Sequence, residues 1–376
     1  MKMRFTVSKD QFLKALNAAS HAIGQKNPIP ALSNFKLELS DRGLEVTGSN
    51  SEITIRSIVP YRSGDNEIIR NAGLGATLVN SHLLLESVRR MGGNEITMDV
   101  IDEAIAKIGD GKTSYKLSCV KADEYPDIDL EADGVNFTLN CADFTSLIEA
   151  TAFAASNKEQ ARPVLTALNL EASDGELSAV ATDSARLAEK TMPIDSDVAF
   201  RVNAPARVLV DITHLFEGED EVSVSVSSSK ILFHFGTTVV SSRLIAGDYP
   251  ATKAIIPQTF NYYLEVNANE LLSAMSRVSV LSVDRDPVVT LTMKEEEVTV
   301  SCQNALTGSA EESISTYSYN GESLRVSFNA LFVNDAIKAL KSADVTLCFQ
   351  GEMKPFVVRD GKNPSVVELI TPMRTY

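Results

Sequence analysis

Histidine and cysteine are the side chains best suited to acid–base, nucleophilic and metal chemistry, and this chain has four of each. His21, His82, His214 and His234 are scattered and show no metal-ligand spacing with cysteines or acids. Cys119, Cys141, Cys302 and Cys348 form neither a ligand set nor a framework of paired bridges. Most of them lie in strand-like runs, which points to buried free thiols in a reducing cytoplasm. No Gly-x-Ser-x-Gly elbow occurs, and no phosphate loop ends in Gly-Lys-Ser/Thr. Gly73-Leu-Gly75 holds two of the three glycines of a dinucleotide loop and opens no long helix. A catalytic site, a metal and a cofactor are therefore all left unassigned. A hydrolase with its site between domains would need acids and a nucleophile converging in one cleft, and no such asymmetric cluster is visible.

What remains is the chemistry of charge. The net charge is -15, which opposes contact with a polyanion over the whole surface. A localised basic stripe can still bind phosphates on an acidic body. The acidic runs Glu217-Gly-Glu-Asp-Glu221 and Glu295-Glu-Glu297 fall in apparent turns. Lys9, Lys14, Lys26, Arg89, Arg90, Lys158, Arg207, Arg277, Lys338 and Lys341 fall in or beside predicted helices. Those helices also carry Asp10, Glu86, Glu149, Asp211 and Glu270, so solvated faces of mixed charge are an equally good reading.

The elements that position these side chains recur. Phe5-Thr-Val-Ser-Lys-Asp-Gln-Phe-Leu-Lys-Ala-Leu16 reads as a strand, a turn and a helix. Ser8 or Asp10 can cap the helix, and Phe12, Leu13 and Leu16 make one buried face. The pattern returns from Phe137 to Ile148 and from Leu264 to Met275, with Phe5, Phe137 and Leu264 spaced by 132 and 127 residues. A second helical unit returns after Val79, Val202 and Phe328, with Asn80, Asn203 and Asn329 at the expected N-cap and Pro205 in a first turn. A proline-led strand follows Pro30, Pro163 and Pro287. Leu44-Glu-Val-Thr47 and Glu52-Ile-Thr-Ile-Arg56 alternate like half-buried strands, and Glu221 to Ser227 alternates strictly. The turns Asp41-Arg-Gly43 and Ser173-Asp-Gly175 match in place.

Two helices and several antiparallel strands per unit give an α+β fold of three tandem repeats of one two-helix antiparallel-sheet domain. Tyr125-Pro-Asp127 and Tyr249-Pro-Ala251 read as short linkers, which sets domains at 1–126, 127–251 and 252–376. The 44% hydrophobic content supplies packed cores, and no apolar run is long enough to span a bilayer. The N-terminus runs directly into the first strand without a secretory signal.

The repeat, together with Ala181-Thr-Asp-Ser-Ala-Arg-Leu187, Leu244-Ile-Ala-Gly-Asp-Tyr-Pro250 and Leu369-Ile-Thr-Pro-Met-Arg-Thr-Tyr376, resembles the bacterial DNA polymerase sliding clamps, the beta subunits of the polymerase III holoenzyme. The likeness runs end to end, and the Thr-Asp-x-x-Arg-Leu and Pro-x-Arg motifs are specific in combination. It implies the DNA clamp fold, closed by a head-to-tail homodimer into a ring lined by about twelve helices. It further implies a cytoplasmic, non-catalytic processivity subunit that encircles duplex DNA without reading bases and tethers the replicative polymerase. The clamp loader and repair polymerases would dock through short linear peptides, and no membrane is involved.

Carried over position by position, the resemblance places a peptide groove at Leu165, Thr182, Ser184, Arg186, Leu187, Pro250, Ile255, Met353, Pro355, Leu369, Ile370, Pro372, Met373 and Arg374. Aliphatic residues and a flexible methionine suit a Leu or Phe anchor, and Arg186 and Arg374 suit a carbonyl or an acid at the rim. Ser184-Ala185, Ala254 and Thr371 depart from the usual pattern, which bears on peptide preference. Lys26, Lys158, Arg162 and, more loosely, Arg207 match DNA-facing positions. Tyr115 and Leu117 on an edge strand, with Val280 and Leu281, match the dimer contact. The rival reading is an acidic, repeat-built, peptide-binding adaptor that does not encircle DNA.

Overall fold

The computed structural model describes residues 3–24, 27, 29–282 and 286–374. Six α-helices fall among them: α1 (Lys9–Ser20), α2 (Ser81–Arg90), α3 (Cys141–Glu149), α4 (Ala206–Thr213), α5 (Ala268–Val278) and α6 (Ala330–Leu340). They fall two to a repeat, each preceded by one strand, and every strand pairing is antiparallel. The α+β, three-repeat reading therefore holds. No helix among the described residues is long and apolar enough to cross a membrane. The chain packs as two compact units, one of Met1–Cys141 with Asp211–Leu244, the other of Ala142–Val210 with Ile245–Tyr376.

In the first unit a 13-stranded sheet runs without interruption from strands of the second repeat into those of the first. The join is the pairing of Thr238–Arg243 with Ile53–Val59, in which Ser241 stands opposite Thr54. Beyond it lie Gly43–Ser49, Asn34–Ser40 and Gly75–Asn80, then Ser114–Val120. α1 turns Phe12, Ala15, Leu16 and Ala19 inward, and Phe5 meets Phe12 edge-on at 5.9 Å. Burying each such ring or leucine contributes about 1.5–3 kcal/mol. α2 is closed from outside by Lys9, whose amino group donates to the carbonyls of Arg89 and Met91.

The strand Gly43–Ser49 is buried throughout rather than half-buried as its alternation implies. Helix α1 presses one side so closely that a Cβ on Gly48 would lie 2.2 Å from the Ala19 carbonyl oxygen. On the other side Glu45 is 4% exposed, and its carboxylate is held by Arg42 at 2.9 Å and Arg56 at 3.5 Å. A charge can occupy an inner row only with that kind of pairing.

In the second unit a nine-stranded sheet repeats the same join. Asn363–Ile370 of the third repeat pairs with Arg186–Pro193 of the second, with Leu369 opposite Leu187. A separate four-stranded sheet runs Gly308–Ser313, Glu297–Asn304, Val288–Lys294 and Leu324–Asn329. Its faces and those of α5 and α6 enclose a core around Leu271, Met275, Phe328, Val333 and Phe356. Gly308–Ser313 ends its sheet, and Ser114–Val120 pairs along its length with Ile105–Gly109 but reaches Gly75–Asn80 only at Cys119 and Val120.

Two of the expected caps are made. The Asn80 side chain accepts from the Leu83 amide at 3.0 Å, and Asn329 accepts from Leu331 at 2.9 Å. Asn267 caps α5 likewise through Glu270. Asn203 does not cap. It lies inside the strand Phe200–Pro205, with Pro205 directly before α4, and its amide donates to the carbonyls of Ile245 and Gly247 at 3.3 and 2.8 Å. Its Oδ1 accepts from Asn169 at 2.9 Å. Ser8 occupies its cap position without a side-chain bond. Asn80→Asp is accordingly expected to leave the urea midpoint nearly unchanged, since either residue caps. Asn203→Asp sets a carboxylate against two carbonyls and is expected to cost about 3 kcal/mol.

Candidate functional site

The motif Thr-Asp-x-x-Arg-Leu builds a tight loop between two strands. Asp183 Oδ1 accepts from the amides of Ala185 and Arg186 at 2.9 and 3.0 Å. Thr182 Oγ1 donates to the Arg186 carbonyl at 2.6 Å and accepts from the Ser184 amide at 3.1 Å. Ser184 is thereby held at φ 79°, in the left-handed region that glycine adopts at no steric cost. The loop aims the Arg186 side chain, 14% exposed, into a socket. Nε donates to Asp183 Oδ2 at 3.1 Å, Nη1 to Asp335 Oδ2 at 2.7 Å and Nη2 to the Phe153 carbonyl at 2.6 Å. The rings of Phe153 and Phe332 lie 5.3 and 4.6 Å from its guanidinium carbon. Arg186 thus has a structural role that the sequence did not announce. Its hydrogen-bonding face is committed to fastening α6 of the third repeat to the second repeat.

Leu165, Leu187 and Leu369 come together as expected, in one apolar cluster with Val164, Val180, Tyr249, Cys348 and Val357. All three leucines are buried. Tyr249 braces the cluster by accepting from the Thr182 amide at 3.0 Å, and burial pushes its phenol up to about 12, so it stays neutral. Pro250 is half-buried, while Ile255 on the same loop is 49% exposed. Ile370 is a correction. Alternation along Asn363–Ile370 sends Leu369 into this apolar cluster and Ile370 to the opposite face, into the third-repeat core. The register sets Pro355 beside Thr371, since Phe356 stands opposite Ile370. Thr371 donates to the Ala185 carbonyl at 3.0 Å, and Met373 to that of Ser327 at 2.7 Å. Met353, Met373 and Arg374 are exposed. Among the described residues, Ile255, Met353, Met373 and Leu331 are four of the ten large apolar side chains left exposed.

Phe153, Phe332 and Asp335 were not legible as site residues. Only the cap at Asn329 gave a signal, because it fixes which residues open α6 and so which face carries Phe332 and Asp335.

Of the basic positions, Lys26 lies outside the described residues. Lys158 and Arg162 are exposed in one loop, turned by a bond from the Ala161 amide to the Lys158 carbonyl at 3.1 Å, and Arg207 is exposed on α4. Several helix cations meet acids: Arg89 and Arg90 meet Glu86, Arg277 meets Glu312 and Lys341 meets Glu149. Exposed pairs of this sort contribute about 0–1 kcal/mol each. The four cysteines are free and buried. Tyr115 and Leu117 pack half-buried against the first-repeat core, and Leu281 against that of the third. Val280, in the short turn Ser279–Leu281, is 79% exposed, and Thr307 donates to the Leu281 carbonyl at 2.6 Å.

Family models match the chain in three consecutive parts: DNA polymerase III beta subunit N-terminal domain over residues 3–129, central domain over 138–251 and C-terminal domain over 253–374. The beta sliding clamp of Bacillus subtilis is 31% identical over the full length of both chains. The crystal structure of the DNA polymerase sliding clamp from Bacillus subtilis superposes with a TM-score of 0.96 at 31% identity, covering all of both chains. A sliding clamp from Bartonella birtlesii bound to griselimycin superposes at 0.92 with 28% identity, again over both whole chains.

Glu368 lies on the same face as Ile370, 1% exposed, and its Oε1 has no hydrogen-bond partner among the described residues. Burial raises its carboxyl well above the ordinary 4.5, and the Arg186 charge draws it partly back. The folded state therefore holds a proton that the unfolded chain releases. Stability is greatest below the unfolded value and declines as pH rises through the folded one. Glu368→Gln removes that decline. Urea titrations should find the variant more stable than the parent at mildly alkaline pH, with the two converging as pH falls towards 4.5.

Proposed function

The chain belongs to the DNA polymerase III beta subunit family, the non-catalytic sliding clamps, and from that premise we propose that two copies close head to tail into a cytoplasmic ring around duplex DNA. The ring slides without reading sequence and holds the replicative polymerase at its template. Three domains, 1–126, 127–251 and 252–376, make up each copy. The observation that carries this reading is the join. The last strand of the second repeat pairs with Ile53–Val59 of the first, and the last strand of the third pairs with Arg186–Pro193 of the second. The same rule calls for Ser114–Val120, the last strand of the first repeat, to pair with Gly308–Ser313 of a third, and both have an open edge. One chain thus offers one edge of each kind, and two chains satisfy both. Tyr115, Leu117, Val280 and Leu281 flank those edges.

Six helices per copy give about twelve around the hole, where Lys158, Arg162, Arg207 and Lys26 meet phosphates. Polymerase, clamp loader and repair polymerases dock short linear peptides on Leu165, Thr182, Ser184, Arg186, Leu187, Pro250, Ile255, Met353, Pro355, Leu369, Pro372, Met373 and Arg374. Exposed Ile255, Met353 and Met373 at the mouth support this, as does the griselimycin complex of the Bartonella birtlesii clamp.

The decisive experiment is retention on circular against linear DNA after loading by a cognate clamp loader. Encirclement predicts complexes that survive salt on a circle and are lost once it is cut. Equal loss from both would favour the adaptor reading. For the dimer, Val280→Asp is expected to raise the dissociation constant by about thirtyfold, ~2 kcal/mol, in sedimentation equilibrium. The melting of the single chain should stay unchanged, because the side chain is already in solvent.

A further inference from the structure

A cavity of about 680 Å³ opens on the third repeat, on the same sheet face as the groove but beyond it. The strand register connects the two. Thr182, Leu187, Leu369, Val357, Cys348 and Tyr263 stand opposite one another in turn across six strands, forming one row. Leu187 and Leu369 belong to the groove, whereas Val357 and Tyr263 line the cavity. Four strand spacings separate Leu187 from Tyr263, roughly 19 Å, which about six extended residues cover. The loop after Tyr249 forms a wall of both, through Ile255 for the groove and Ile256, Pro257 and Phe260 for the cavity.

The chemistry of the cavity is that of a side-chain pocket. Phe260 and Tyr263 meet edge-on at 6.3 Å and offer an aromatic seat. Arg359 lies with its guanidinium carbon 5.8 Å from the Phe260 ring centre, and among the described residues no ion pair holds its charge. Glu265 and Asp360 share the lining, so the pocket is not broadly cationic and discriminates by position. We propose that this cavity is a second pocket for the linear peptides that occupy the groove. It takes a large apolar or aromatic side chain about six residues from the anchor, beside an acidic residue that meets Arg359. This rests on the groove reading. It makes affinity depend on the flank of the peptide, and it explains how partners that share an anchor can be ranked.

The test uses the full chain and three fluorescent probes read by anisotropy. One is the short peptide Ser-Asp-Leu-Phe-Ser. The others carry a five-residue Gly/Ser spacer and a terminal Phe-Asp, added at the N-terminal or at the C-terminal end. One extended probe should bind about tenfold tighter than the short one. Arg359→Glu, and Gln258→Trp, which fills the cavity from an exposed wall, should each return it to within about twofold of the short probe while leaving the short probe's affinity unchanged. Equal affinity of all three probes overturns the proposal, and so does a gain that survives both variants. If the short probe itself fails to bind, the groove reading falls, and this pocket with it.

Discussion

An unpaired strand edge is the constraint on which this molecule turns. Backbone amides and carbonyls left at an edge invite any other strand, and the chain meets that hazard by pairing the edge of one repeat with the last strand of the next. The solution is used twice, at Ile53–Val59 with Thr238–Arg243 and at Arg186–Pro193 with Asn363–Ile370. It makes continuous sheets out of separate repeats. It also leaves, among the described residues, one strand edge unmet at each end of the series, on Ser114–Val120 and on Gly308–Ser313.

The second join carries an extra lock. Arg186 spans it with three hydrogen bonds and two ring faces, drawing α6 of the third repeat against Phe153 of the second. A planar guanidinium can serve several acceptors in its plane while rings cover its faces, which an ammonium cannot do. Beside it Glu368 is left nearly buried with an oxygen unmatched. At the first join the corresponding positions, read through the register, are Ile53 and Val240, an ordinary apolar pair. The Arg186 charge and the buried Glu368 carboxyl are thus confined to the join in which Leu187 stands opposite Leu369.

The fold was largely legible because its signals are local. Phe12 and Leu16 declare a helix face, Asn80 and Asn329 declare caps, and the repetition of these units multiplies each signal by three. Asn203 misled because an asparagine before a helix has the same appearance whether it caps or lies in a strand. The difference lies in Ile245 and Gly247, about forty residues away in sequence, whose carbonyls compete for its amide. Gly43–Ser49 misled because polar alternation implies a wet face, and Glu45 is instead dry and paired. At the site, the resemblance picked out Leu187 and Leu369 and also Ile370, which strand alternation turns away. It named Arg186 but not Phe332 or Asp335, since a socket assembled from a different repeat leaves no spacing in the sequence.

The two joins also differ in the side chains at equivalent places. At the second join the row across the pairing is Thr182, Leu187 and Leu369. At the first it is Ser49, Thr54 and Ser241, where Ser49 and Thr54 bond each other at 2.7 Å and all three are buried. On Gly308–Ser313, the strand that ends its sheet, the matching pair is Gln303 and Ser309. Backbone pairing is the same at every join, so it cannot distinguish them. The side chains do: the second join carries two buried leucines inside an apolar cluster, where the first carries hydroxyls. A self-satisfied hydroxyl pair offers a visiting peptide neither apolar area nor an unmet hydrogen bond. The fold thus supplies two seams of one backbone pattern, and their side chains make one apolar and the other hydroxyl-lined.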